Sequence, residues 1–356
     1  MSDIRQLLEA AKADPPPPAA SVDDIVRAGR RRLRKSRAGA FGGAGLGVAA
    51  VVAALLMAAP GTPASTLGAA ATTPPPAPFT LTYAGYRVGA FEVTDPMHVT
   101  PGYQQSLVQR SGVDLGGGVT STLDAGTLTV YAAGVFRPDR YAKGTTIELG
   151  GRTAYAALLD HTFTIGGRRV RGATTTQVTP LPAIAWQYAD GAWATLASDD
   201  LGQRGIPAEA LRRLADAFTV GEARPATAAF KAAHIPPGWE LASVGRSLVG
   251  GDPAVSRAVW VRTGTRFDAL TEPLDLNTTP AILVSVSPVE TEGPYAHPVN
   301  PPCPAGQHFC DIRIDGRFYA EVQDISRTLS AAEIAQIAQG LEFAAPDRPG
   351  AWFRAS

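Results

Sequence analysis

Only two cysteines occur in the chain, Cys303 and Cys310 in the stretch PPCPAGQHFC, and they are the first residues whose type and spacing could do chemistry. They follow an apolar run and a Pro-rich spacer, in a part of the chain expected outside the cytoplasm, and there they read as a disulfide. Closing an eight-residue loop stabilises by about 2.5 kcal/mol in the chain-entropy picture. Metal binding is the sharper alternative, because His297 and His308 flank the pair. However, His297, Cys303, His308 and Cys310 do not follow the paired spacings of zinc sites. Free thiols are the third alternative.

The remaining histidines give no catalytic constellation. His98 and His234 stand at matching places beside Pro-Gly turns, where packing or capping competes with a ligand role, and His161 stands in no recognisable cluster. There is no His-Glu-x-x-His, no Gly-x-Ser-x-Gly, no phosphate-cradling loop with Lys-Ser or Lys-Thr, and no Ser-x-x-Lys with its partner motifs. Gly116, Gly117 and Gly118 fall in a turn-rich connection without a helix start behind them. Acidic residues such as Glu290, Glu292 and Asp324 are scattered over expected loops. The expectation is a protein that is not an enzyme and that uses no cofactor and no metal.

The elements that position these residues begin with Ala38 to Ala59, twenty-two residues without a charge. As a helix the run reaches about 33 Å, against a hydrocarbon core of about 30 Å, and reads as one transmembrane helix. Arg27, Arg30, Arg31, Arg32, Arg34, Lys35 and Arg37 precede it, whereas an uncharged Pro-rich run follows. That asymmetry places the N-terminus in the cytoplasm and the C-terminal part outside a cell membrane crossed once. A cleaved signal peptide is the competing reading, with a shorter apolar region and leader than are seen here. Gly39, Gly43 and Gly47 stand four apart, a small-residue ridge along which two such helices can approach.

Charge is segregated in the same way. The 356-residue chain has 32 basic and 32 acidic side chains, but residues 1–37 hold nine basic and five acidic ones, a net +4 that leaves −4 for the rest. The basic cluster suits anionic lipid headgroups, and no basic patch in the outer part points to nucleic acid. Lysine occurs only at Lys12, Lys35, Lys143 and Lys231, with arginine elsewhere and abundant Ala, Gly and Pro, a composition that suggests a high-GC bacterial genome.

Read in order, residues 1–37 form a cytoplasmic tail in which Ile4, Leu7 and Leu8 make one apolar face of a short helix, a candidate docking peptide. Residues 38–59 are the span and 60–80 a Pro/Ala/Thr-rich linker. Two α+β domains are expected at 82–222 and 228–345, with a loose tail at 346–356. His98-Val99-Thr100-Pro101-Gly102-Tyr103 is echoed by His234-Ile235-Pro236-Pro237-Gly238-Trp239, and Asp190-Gly191-Ala192-Trp193 by Asp315-Gly316-Arg317-Phe318. Each half closes with a hairpin and then a helix, begun by Pro207 in the first and by a Ser330/Glu333 capping box in the second. Strand-like runs lie at 127–136, 145–149, 153–158, 184–188, 258–262, 282–287 and 312–314. The fold class expected is therefore α+β: two tandem repeats of an antiparallel sheet with a C-terminal helix, preceded by one transmembrane helix. A groove beside the linker Gly221 to Thr227 is the natural binding place.

This plan resembles the extracytoplasmic domain of bacterial anti-sigma factors and related sporulation or envelope lipoproteins. Pro237-Gly238-Trp239, Gly316, Phe318, Ser330, Glu333, Ile334, Ile337, Ala338 and Leu341 carry the resemblance. Pro101-Gly102-Tyr103, Gly191, Trp193, Leu211, Leu214, Ala215 and Phe218 repeat it less fully. The leader, arginine cluster and apolar run are also similar to single-pass membrane proteins of high-GC Gram-positive bacteria that partner with sigma factors. The resemblance implies a membrane-anchored regulator or sensor with an extracytoplasmic ligand and, inside, a sigma factor or other transcription protein. The tail departs from the pattern: it has no His or Cys for the zinc motif of many anti-sigma domains, and it is short for a complete one. The alternative function is a cell-envelope binding or structural protein whose tail is only a membrane insertion signal.

Overall fold

The computed structural model describes residues 78–115, 119–141, 143–165, 175–199, 205–246, 255–265, 279–289, 303–304 and 306–355. All of them belong to one compact unit, Ala54–Ser356. Ile4, Leu7 and Leu8, the basic cluster from Arg27 to Arg37, the apolar run with Gly39, Gly43 and Gly47, and the linker up to residue 77 lie outside the described residues.

The first half begins with four short strands: β1 (Thr80–Leu81), β2 (Tyr86–Val88), β3 (Phe91–Val93) and β4 (His98–Val99). Longer ones follow, β5 (Tyr103–Asp114), β6 (Thr120–Tyr131), β7 (Thr145–Leu149), β8 (Arg152–Ile165), β9 (Thr175–Ala189) and β10 (Ala192–Ser198), and then helix α1 (Ala208–Asp216). The second half runs through β11 (Arg224–Pro225), β12 (Thr227–Ala228), β13 (Phe230–Ala232), β14 (Trp239–Gly245), β15 (Ser256–Arg262), β16 (Ala281–Pro288), β17 (Phe309–Arg313) and β18 (Phe318–Asp324). Helix α2 (Ala331–Gln339), β19 (Leu341–Phe343) and β20 (Phe353–Arg354) end it.

The α+β expectation is corrected here. The described chain is mainly β: its strands run to 15 residues, whereas α1 and α2 have nine residues each. Instead of two repeats with separate sheets, fourteen strands form one antiparallel sheet, in the order β17-β18-β16-β15-β14-β4-β5-β6-β10-β9-β8-β7, with β3 and β2 branching from β5. The run expected to form a transmembrane helix lies outside the described residues, and among the described residues no helix is long and apolar enough to cross a membrane.

Register shows that both helices lie on one face of this sheet. Gln104 pairs with Val99, Val99 with Val244, and Val244 with Ala258, so these side chains share a face. On it, α1 buries Leu211 and Leu214 among Tyr83, Leu128, Ile184 and Trp186. Further along, α2 buries Ile334 and Ile337 among Trp260, Val284, Phe318 and Val322. The capping box that starts α2 is present, with Ser330 Oγ accepting from the Glu333 N–H and the Glu333 carboxylate accepting from the Ser330 N–H. Between the two cores, Phe79, Val99, Ala226, Ala228 and Val244 form a smaller apolar cluster.

The linker from Gly221 to Thr227 is stitched into this seam. Gly221 N–H donates to Thr82 O and Ala226 N–H to Phe79 O, each at 2.7 Å. β11 pairs with β1, and β12 pairs with β20 from the end of the chain. Backbone hydrogen bonds thus satisfy a segment whose composition reads as a connection.

Candidate functional site

The opposite face of the sheet carries a cross-strand row that passes from one half to the other. In the first half Thr195 pairs with Thr129, Thr129 with Gln105 and Gln105 with His98. His98 then pairs with Gly245, Gly245 with Arg257, Arg257 with Ser285, and Glu321 stands between Ser285 and Asp311. Such a row is polar because each strand here alternates apolar residues toward the helices with other residues away from them.

Gln105 and Thr129 are buried, and their hydrogen bonds make that tolerable. His98 Nδ1 lies 3.2 Å from the Gln105 amide oxygen, while the Gln105 amide nitrogen donates to Thr129 Oγ1 at 3.2 Å. Because that oxygen can only accept, the network assigns the proton of neutral His98 to Nδ1. The imidazole meets the edge of the Tyr103 ring at 5.8 Å. Burial holds its pKa below the usual histidine value, the bond to Gln105 opposes that shift, and the positive charge of Arg257 adds to it.

Beside the row lies an aromatic strip. Tyr103 and Tyr131 face each other across strands at 6.2 Å, and Tyr131 meets Phe136 at 4.9 Å. Phe136 and Tyr141, from the excursion between β6 and β7, are buried over Ala157, Ala183 and Ala185. Trp193 packs between Phe136 at 5.4 Å and Tyr155 at 5.7 Å, the latter pair stacked at 12°. Unlike the buried rings, Trp193 and Tyr155 remain half-buried, with the half-buried amide of Gln187 opposite Trp193. Rigid rings with exposed edges next to an amide are what a partner protein can anchor on, since aromatic side chains dominate interface energetics.

The residues singled out in sequence fall in separate places. Cys303 and Cys310 are joined as a disulfide, with Cys310 in the core under α2. His297, Glu290, Glu292 and Gly116–Gly118 lie outside the described residues. His308 immediately precedes β17, and its backbone oxygen accepts from the Asp324 N–H. His234 packs against Gly340 at the end of α2, and His161 pairs with Thr179 on β8 and β9. His98 and His234 therefore occupy dissimilar surroundings despite their matching sequence contexts. Among the described residues no group of three or more His, Cys, Asp or Glu is placed to hold a metal. Asp324, expected on a loop, is buried at the end of β18, where it accepts from the N–H groups of Ser326 and Leu329. Sequence reasoning did not find the Trp193–Tyr155 strip. Its one signal was the alternation of Ala192 to Ala197 on both sides of buried positions, which locates a strand but not what faces it.

The disulfide beneath α2 leads to a first prediction. Reductant should lower the unfolding free energy by about 2.5 kcal/mol, read as a shift in denaturant midpoint. An unchanged midpoint would show that the bond contributes nothing to the second core.

No protein-family model matches the chain, and no curated protein matches it in sequence. Among solved structures, a chain described as the complex structure of Pseudomonas aeruginosa MucA/MucB is similar at 12% identity, with 75% of this chain and 94% of that chain covered. The TM-score is 0.18, at which the overlay carries no argument about fold or role.

Proposed function

We propose that this chain is a non-enzymatic regulator that binds a partner protein outside the cytoplasm, through the aromatic strip at Trp193 and Tyr155. The observation behind this reading is that stack. Two large rings stay half-buried on the face away from the helices, while their neighbours Phe136, Tyr141 and Tyr131 are buried. An oxidising compartment is supported by the Cys303–Cys310 bond, since such bonds persist outside the cytoplasm. A partner belonging to a sigma-factor regulatory system is supported by the sequence pattern of Trp239, Phe318, Ser330, Glu333, Ile334 and Ile337, which assembles around α2.

Full-length protein carrying Tyr155→Ala and Trp193→Ala provides the test, by capture of envelope proteins and quantitative mass spectrometry. At about 1.4 kcal/mol per tenfold in affinity, loss of two anchor rings should reduce capture of a specific partner at least tenfold while far-ultraviolet circular dichroism is unchanged. Undiminished capture of every partner would remove the strip from the binding reading.

A further inference from the structure

We propose that β4 is an acid-released latch between the two halves of the sheet and that His98 is its trigger. The geometry begins with how little joins the halves. Between β14 and β5 the sheet continues through only two residues, His98 and Val99, paired with Gly245 and Val244 on one side and with Gln105 and Gln104 on the other. Toward β14 the pairing is flanked by the bond from Arg246 N–H to Met97 O at 2.5 Å, and toward β5 by those from Met97 N–H to Gln105 O at 2.8 Å and from Thr100 N–H to Tyr103 O at 2.9 Å. On the helix side Val99 and Val244 belong to the apolar cluster with Phe79, Ala226 and Ala228. On the other side stands His98.

Burial first, and the charge of Arg257 after it, make protonation of His98 unfavourable in the closed sheet. From β5, Gln105 and Tyr103 offer an amide and a phenol ring. From β14, Gly245 offers no side chain, so the row continues directly to the guanidinium of Arg257 on β15, whose charge acts on the ring. Arg246 sends its guanidinium over the Trp352 ring, 5.8 Å from the centroid. Ahead of β4, Asp95 accepts from the Gly85 N–H and pairs with Arg224 at 3.3 Å. Glu321 and Asp311 stand beyond Ser285 in the same row.

When His98 takes up a proton, Nδ1 keeps its bond to Gln105, and the new N–H at Nε2 carries charge into a partly desolvated row that already holds Arg257. Opening the β4–β14 pair parts Val99 from Val244 and lets water reach the imidazolium, while the β1–β11 pairing and the bonds from Gly221 to Thr82 and from Ala226 to Phe79 hold as the hinge. The sign follows from burial: the closed state binds the proton more weakly than an exposed histidine of pKa about 6.5, so closure is fully favoured above that pH and weakens below it. Weakening stops once pH has fallen through the depressed value of the closed state.

Hydrogen exchange of the full-length protein between pH 7.5 and 5.0, corrected for intrinsic rates, tests the latch. Protection of the amides at 99, 244 and 246 should fall up to tenfold per pH unit below about pH 6.5, while the centre of β16 keeps its protection. His98→Gln, which keeps an amide beside Gln105, should abolish that pH dependence. Equal losses in β16, or the same dependence in His98→Gln, would overturn the proposal. Should that variant fail to fold, nuclear magnetic resonance titration of His98 in the wild-type protein decides. A pKa below 6.5 together with pH-dependent exchange upholds the latch, and a pKa at or above 6.5 overturns it.

Discussion

Replacing Gly245 by valine is expected to destabilise the protein by about 4 kcal/mol, because the seam of the sheet closes over a position where no side chain fits. Gly245 has φ of 153°, and a Cβ there would fall on the carbonyl of Met97 and meet His98 Cα at 3.0 Å. Both obstacles are backbone, one in β4 and one in the residue just before it that bonds to Arg246, so neither can move aside without opening the β4–β14 pair. A conformation that only glycine adopts readily costs about 1–3 kcal/mol for other residues, and overpacking adds about as much. Unfolding in denaturant measures the sum. Gly350→Ala, where an added Cβ meets nothing within 4 Å, is the control and should stay within about 0.5 kcal/mol of wild type. A Gly245→Val protein within about 1 kcal/mol of wild type would show that β4 does not hold the halves together.

Asp324→Ala is expected to cost about 3 kcal/mol, through the turn that delivers the chain from β18 into α2. The Asp324 carboxylate is buried and accepts from Ser326 N–H at 3.0 Å, Ser326 Oγ at 2.6 Å and Leu329 N–H at 2.6 Å. Leu329 is itself in the second core, immediately before the Ser330 cap. Removing the acceptor strands the Leu329 N–H where water cannot reach it, and bonds to a charged group are worth about 1.5–3 kcal/mol each. Asp324→Asn retains one oxygen and should lose about half as much. Equal stability of the Ala and Asn variants would mean that the turn holds its shape without the carboxylate.

What was legible in the sequence was local. The Ser330/Glu333 box, the Asp-Gly turns at Gly191 and Gly316 with φ of 68° and 81°, and the strand Thr145–Leu149 all depend on neighbours within a few positions. Continuity of the sheet depends on His98 and Val99 meeting residues 147 and 145 positions away, and a two-residue strand has no periodicity to reveal it. The first half was under-read because Pro180 and Pro182 look like breakers. In the structure they lie on β9 beyond its last partner on β10, the pair Ala183 and Ala197, where no ladder bond is required of them. Extended strands on both sides of that point, set against two helices of nine residues, are what turn an expected α+β chain into a mainly β one. Nothing in a single sequence marks the face on which Trp193 and Tyr155 stack, since facing depends on the register of three strands at once, β8, β9 and β10.

The central claim, that the strip at Trp193 and Tyr155 receives a partner protein, is tested most directly by placing a photo-crosslinking amino acid at position 155 of the full-length protein in living cells. The account predicts one dominant protein adduct from position 155, absent when Trp193 is also replaced by alanine, and no such adduct from Arg327, an exposed residue of the turn before α2. Adducts of the same identity and yield from both positions, or none from position 155, would contradict it.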